Sequence, residues 1–304
     1  MKVLFTGATG VVGRVAVPLL VAAGHDVAAV GRSDEGRNWL DRVGARPVDV
    51  DLFDEDEVGT ATRGTDAVIH FATKIPSLAL MVKVEPWAMN DELRDRATAI
   101  LVDAARANGV GRFIQQSITF FYADGGSNWL DEAAPIDTSF TPLASAIRAE
   151  GHVERFRAGG GVGVSLRMAR LYGPGEVSRE YVEAVRMRDI PVVGRGANYV
   201  SSLHIVDAAT ALAAALDAPD GTYNVGDDEP VTSLVYISTL AELLSAPKPR
   251  RIPGAAVQLA LGKASSLLRP SQRVSNRKFR ETTGWAPARP TVIEGWQDVL
   301  TPAD

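Results

Sequence analysis

Thr6-Gly7-Ala8-Thr9-Gly10-Val11-Val12-Gly13 is the stretch that most restricts what this chain can fold into. It follows the apolar run Val3-Leu4-Phe5 and leads into an apolar, helix-like segment from Val11 to Ala23. A strand, a glycine-rich turn and a helix start, in that order, make a cradle for phosphate. The first turn of a helix has backbone N–H groups without partners and the positive end of the helix dipole, and glycine lets an anion come close to the backbone. At the front of a β-α-β pattern, the motif predicts a docked dinucleotide. Gly7, Thr9, Gly10, Val11, Val12 and Gly13 are its candidate contacts.

The rest of the first half alternates strand and helix. Lys2 to Thr6 is the first strand, and the helix after it stops at Gly24, with Pro18 inside predicting a bend. Asp26 to Val30 is the second strand and ends at Gly31-Arg32-Ser33. NAD sites usually place an acidic residue there for the ribose 2′-OH. Arg32 can instead pair with a 2′-phosphate, which favours NADP over NAD. Arg46 to Val50 reads as the third strand, and Asp54 as the N-cap of a helix from Glu55 to Thr62. Ala67 to Phe71 is a continuous apolar run, as a central parallel strand should be. A long helix from Asn90 to Ala107 leads to the fifth strand, Arg112 to Gln116. Another helix, Pro142 to Ala158, precedes a strand within Val162 to Leu171. This alternation predicts a doubly wound parallel sheet, on which ligands bind beyond the C-terminal strand ends. Phe71, Ala72, Thr73, Gln116 and Ser117 lie at such ends and are further candidate cofactor contacts.

After Pro174 the rhythm changes, and residues 175–304 read as a smaller substrate lobe on a dinucleotide-binding domain of residues 1–174. Part of the lobe, notably Tyr223-Asn224-Val225, is expected to return to the main sheet. Ser201 to Leu216 reads as mostly helix with Asp207 capping it, Ala255 to Leu268 as a helix covering the pocket, and Arg269 to Arg280 as a solvated basic face. The chain has 304 residues and a net charge of -5, with no basic block, which argues against nucleic acid and anionic membrane. It has no cysteine, and its four histidines are widely separated, so no metal site is expected. No apolar run reaches the roughly 18 residues of a membrane span, and the first strand begins at once, so the expectation is a soluble, cytoplasmic protein acting on a small molecule.

Taken together these residues resemble the extended, atypical short-chain dehydrogenase/reductase superfamily, of the NAD-dependent epimerase/dehydratase type. The resemblance covers nearly the whole chain. It rests on the glycine stretch and on Val50-Asp51-Leu52, Asp66-Ala67-Val68-Ile69-His70, Leu101-Val102-Asp103-Ala104-Ala105, Leu171-Tyr172-Gly173-Pro174-Gly175, His204-Ile205-Val206-Asp207 and Tyr223-Asn224-Val225. It implies a Rossmann-type fold, bound NAD(P), and Asp51 and Leu52 beside the adenine. It also leaves a homodimer open, paired through the helices flanking the fifth strand.

One departure matters most. The superfamily's reacting centre is a Ser or Thr at the end of the fifth strand with Tyr-x-x-x-Lys on the next helix, where the ammonium lowers the phenol pKa for proton exchange. Ser117, or else Thr119, fits the first role. Pro142 and Ala146 stand where Tyr and Lys belong, and a shift of one residue gives Leu143 and Ile147. Arg94 replaces an expected Asn, and either pairs with a neighbouring acid or faces the substrate pocket. The candidates for the missing chemistry are Tyr122, on the loop after the fifth strand, and Lys74, after the fourth. Three functions follow: an NADP(H)-dependent reductase of a small carbonyl compound with a non-standard proton donor; a non-redox epimerase, dehydratase or lyase; or a dinucleotide-sensing protein without catalysis.

Overall fold

The computed structural model describes residues 1–300. Seven parallel strands make its central sheet: β1 (Lys2–Thr6), β2 (Asp26–Val30), β3 (Arg46–Val48), β4 (Ala67–His70), β5 (Arg112–Ile118), β6 (Val162–Met168) and β7 (Gly221–Val225). Their spatial order is β7-β6-β5-β4-β1-β2-β3, with the switch between β1 and β4. The predicted doubly wound sheet is therefore present, and the strand at 221–225 belongs to it.

Period-two alternation decides what each strand contributes to the two cores. Val3 and Phe5 of β1 pack on one face, and Leu4 on the other. The first face is covered by α1 (Gly13–Ala22), α2 (Asp34–Arg42) and a later helix, Ile205–Ala214. The second is covered by α3 (Glu55–Ala61), by the helical stretch of α4 (Ala88–Glu92) and α5 (Thr98–Ala107), and by α6 (Ala144–Ala158). Asp54 caps α3, its Oδ1 accepting from the Asp56 and Glu57 amides at 2.9 and 3.0 Å. Leu93–Ala97, between α4 and α5, is a π-turn.

Several local expectations change. Residues 34–42 form a helix that the sequence reading did not include. β5 runs two residues further than Gln116, so Ser117 lies inside the strand. Ser202–His204 is a short strand paired with Arg170–Tyr172 before the helix begins. Asp207 does not cap that helix; its carboxylate accepts from the Ala288 and Arg289 amides, each at 3.0 Å, and so ties down the C-terminal segment. The apolar stretch 255–268 is a helix, Gly254–Leu261, followed by a 3-10 segment. Leu259 on the helix is 89% exposed, and it is Leu267 and Leu268 that reach the cavity described below. The basic stretch is partly engaged: the Arg273 guanidinium lies 4.1 Å from the Trp129 ring and Arg280 pairs with Asp228 at 2.8 Å. No helix among the described residues is long and apolar enough to cross a membrane.

Candidate active site

The cradle forms as the sequence predicts, and its glycines have different reasons to be there. A Cβ on Gly7 would lie 2.4 Å from the Phe71 carbonyl carbon, and one on Gly13 would lie 2.4 Å from the Ala8 oxygen. Backbone packing alone demands those two. Gly10 is exposed, and a Cβ there would meet only the Gly7 oxygen of its own turn, at 3.2 Å. Val12 starts α1 with no side-chain cap. The first bonds of the helix run from Arg14 to Gly10 and from Ala16 to Val12. The amides of Val11, Val12 and Gly13 are left without protein acceptors among the described residues, as a phosphate site requires.

At the next strand end, Arg37 is fully engaged. It contacts Asp34 at 2.6 Å, Asp49 at 3.3 Å and the carbonyls of Gly31 and Arg32. Arg32 is exposed and its side chain makes no ion pair among the described residues. Asp51 accepts from the Phe53 amide at 2.9 Å, closing its own turn, and Leu52 is in the core. Phe71 packs edge-on against Phe5, while Ala72 is half-buried and Thr73 exposed. Gln116 turns its amide nitrogen to the Ser117 carbonyl at 3.0 Å.

Of the three candidate catalytic residues, Ser117 and Tyr122 join one network and Lys74 lies apart from it. Strand register explains Ser117. Residues 113, 115 and 117 of β5 face α5 and α6, and Ser117 is level with Arg167 on β6, which is level with Asn224 on β7. Three neighbouring strands thus present polar side chains on one face, beneath α6. Ser117 Oγ donates to Glu150 Oε1 of α6 at 2.6 Å. Arg167 grips the same carboxylate with two bonds, at 2.9 and 2.7 Å. It also donates to the Tyr122 hydroxyl at 2.7 Å, and that hydroxyl donates to Asn224 Oδ1 at 2.7 Å. Ser117 and Tyr122 are therefore members of one buried, satisfied network. Burial pushes the Tyr122 phenol up to about 12, although Arg167 pulls it down. Lys74 is exposed; its backbone amide donates to Asn90 Oδ1 at 3.2 Å.

The start of α6 is packed with apolar side chains. Pro142, Leu143 and Ala146 are buried, and Leu143 and Ala146 pack with Ile118, Phe121 and Phe140. Arg94 follows neither expectation. It is 1% exposed, its Nε and Nη1 have no hydrogen-bond partner, and it makes no ion pair with Asp91 one turn before it. Burial pushes its pKa down to about 10, so it is still charged near neutral pH. Asn90 Nδ2 and Asp91 Oδ1, on the same helical stretch, are also buried without partners. His70 beside them is satisfied. Its Nε2 lies 3.0 Å from the Leu93 carbonyl, so that nitrogen carries the proton, and Nδ1 accepts from Thr6. Burial holds its pKa down to about 4. Arg148 and His152 of α6 both hold Asp95.

Beyond the C-terminal ends of β4 and β5 lies a cavity of about 680 Å³. Its walls come from the segment after β4, from Thr119 and Phe120 after β5, from Arg170, and from α7 (Glu176–Arg186) and Ser233–Leu243. Thr119, the less favoured sequence candidate, lines it, and its hydroxyl makes no hydrogen bond among the described residues. Tyr122 and Ser117 do not line it. Sequence reasoning missed Arg170, because it reads there as one more residue of a strand running to Leu171.

Residues 3–226 match the model of the NAD dependent epimerase/dehydratase family. The chain belongs to that family. It is 35% identical to a 3-diazoavenalumate denitrifying reductase of a Streptomyces species, over 310 residues that cover 99% of each chain. Its fold is that of a Thermus thermophilus UDP-glucose 4-epimerase solved with NAD, with a TM-score of 0.75, 24% identity, and 98% of this chain and 97% of that one covered. It is also that of a human epimerase family protein solved with NADPH, with a TM-score of 0.77, 21% identity, and coverage of 98% and 99%. The two solved structures establish the Rossmann-type fold. Membership and the reductase relative make this family member an NAD(P)-dependent enzyme of the oxidoreductase or epimerase type.

Proposed function

We propose that the protein is an NAD(P)H-dependent reductase of a small metabolite that works without a phenol–ammonium pair. What carries this reading is the filled space at the start of α6: Pro142 and Ala146 are buried and apolar, and the nearest phenol, Tyr122, is bound to Arg167 and Asn224. The cradle fits a dinucleotide, through the open face of Gly10 and the acceptor-free amides of residues 11–13. A nicotinamide bound there supplies hydride to a substrate in the cavity. Epimerisation and dehydration of a sugar begin by oxidising an alcohol, which needs a base at the hydroxyl, and neither Pro142 nor Ala146 provides one.

A diazo compound, the kind of substrate reduced by the Streptomyces relative, is an acceptor that needs no such group. When hydride adds to a carbon bearing a diazonium group, the C–N bond breaks, its electron pair leaves with dinitrogen, and no oxygen has to be protonated. We read this chain in the same way, with Thr119 as the hydroxyl that orients the acceptor. A carbonyl acceptor is the second reading, favoured by that same free Thr119 hydroxyl, which would donate to the developing alkoxide. Arg32 favours NADPH in both cases.

The test uses NADPH deuterated at the transferable position, offered with an ortho-diazo phenolic cinnamate and with a panel of ketones and enones. The expected result is dinitrogen released in step with NADPH oxidation, and deuterium on the ring carbon. Deuterated alcohols from the ketones would move the protein to the second reading. Conversion of UDP-glucose without net NADPH loss would overturn both.

A further inference from the structure

The cavity wall contains a single cation, Arg170, against three carboxylates, Glu180, Glu183 and Asp189. Two of those carboxylates have partners: Glu180 accepts from the Leu78 amide at 2.7 Å and Glu183 pairs with Arg186 at 2.6 Å. Arg170 has none. Its guanidinium makes no ion pair or hydrogen bond among the described residues, and its carbon sits 5.0 Å from the Phe120 ring centroid. The cation–π contact holds the guanidinium beside the ring, and its N–H groups are left for a planar acceptor.

The rest of the wall is largely apolar, with a cluster of aromatic rings on one side. Tyr181 lies parallel to Trp296 at 6.2 Å and edge-on to Tyr236 at 5.8 Å. Tyr199 and Tyr236 face the same space. Burial pushes the Tyr181 phenol up to about 12, so it meets a ligand as a neutral donor.

We propose that this cavity takes a flat, conjugated or aromatic acid, with its carboxylate held by Arg170, and rejects sugar nucleotides. The inference rests on reading the cavity as the substrate site of the proposed reductase. A carboxylate carries one charge and fits the guanidinium edge with two bonds. A diphosphate carries at least two charges, finds one cation, and meets the three carboxylates of the same wall. The aromatic walls add stacking for a planar body and nothing for a hydroxyl-rich sugar.

Binding decides it without turnover. Benzoate, cinnamate and para-coumarate, the methyl ester of each, and UDP-glucose are titrated by calorimetry into the full-length protein, with and without NADPH. The expected result is that wild type binds at least one acid about tenfold or more tightly than its ester. Arg170→Met should abolish that preference, Arg170→Lys should keep part of it, and NADPH affinity should be the same in all three. Thermal melts establish that both variants fold. Equal binding of acid and ester to wild type, no binding of any acid, or tighter binding of UDP-glucose would overturn the proposal. Acids held through Arg170 with no deuterium transfer in the previous experiment would leave this inference standing and remove the reductase reading instead.

Discussion

Arg167 and Arg170 are separated by two residues, and their guanidinium groups are in opposite circumstances. Arg167 holds a buried carboxylate with two bonds, a phenol with a third and the Glu132 carbonyl with a fourth. Arg170 stacks on a ring and holds nothing else. The chain between them explains the difference. β6 ends at Met168, and Arg170 begins a separate strand that pairs with Ser202–His204 outside the main sheet. One arginine is thereby kept under α6, and the other is delivered to the cavity. The pattern recurs at the second strand end, where Arg37 is tied four ways and Arg32 is free. Arg37 and Arg167, which hold elements of the fold together, are saturated; Arg32 and Arg170 are unpaired where a ligand is expected. Arg94 belongs to neither class, being buried and unpaired.

The sharpest way to break this division is to remove the partner of a saturated arginine. Glu150→Ala leaves Arg167 buried with half its contacts and Ser117 Oγ without an acceptor. The expected cost is about 3–5 kcal/mol, the usual penalty for stranding a buried charge. In a chain of this length Tm should fall on the order of 10 °C in a thermal melt. The double change Glu150→Leu with Arg167→Met should cost less than the single one, because no charge is left alone. A single variant that melts like wild type would mean the network contributes little.

Arg94 tests the third class, and here the sign reverses. Arg94→Met removes a charge whose burial outweighs the attraction of Asp91 and whose Nε and Nη1 have no hydrogen-bond partner, and keeps most of the volume. The ligand-free protein should gain about 1–4 kcal/mol and melt several degrees higher. Loss of stability would show that Arg94 is satisfied in a way its orphaned Nε and Nη1 do not suggest. Arg32 tests the free class by affinity. Arg32→Ala should weaken NADPH about tenfold, the worth of one charge-assisted contact. NADH should be unaffected, and equal losses for both would return the residue to a general role beside the adenine.

The sequence reading was best where the determinants are local. The cradle, the Asp54 cap and the seven strands each rest on residues close together in the chain, and that α6 contains neither Tyr nor Lys can be read from one helix. It missed α2 because Asp34–Arg42 buries only Gly36 and Leu40, so the segment has almost no apolar stripe to betray a helix. It separated Ser117 from its true partners because they are level in strand register but distant in sequence: Arg167 and Asn224 lie on neighbouring strands, and Glu150 above them on α6. It passed over Arg170 because a strand break at Ala169 has no signature; an unbroken strand would have turned that side chain to the opposite face from Arg167.

The smallest effects are expected where the sequence placed the chemistry. Tyr122→Phe deletes a hydroxyl that accepts from Arg167 and donates to Asn224, leaving Asn224 Oδ1 short of a donor. Ser117→Ala deletes one donor to a carboxylate that Arg167 still holds twice. Each should cost about 1 kcal/mol in a melt, and each should leave kcat/KM for the true substrate within about threefold of wild type, because neither group lines the cavity. A loss on the order of a hundredfold, the scale of general acid catalysis, would be incompatible with a sealed network. It would require Tyr122 or Ser117 to leave its partners during turnover, and Asn224→Ala, which removes the phenol's acceptor but leaves its bond from Arg167, would then shift the pH profile of kcat that Tyr122→Phe abolishes.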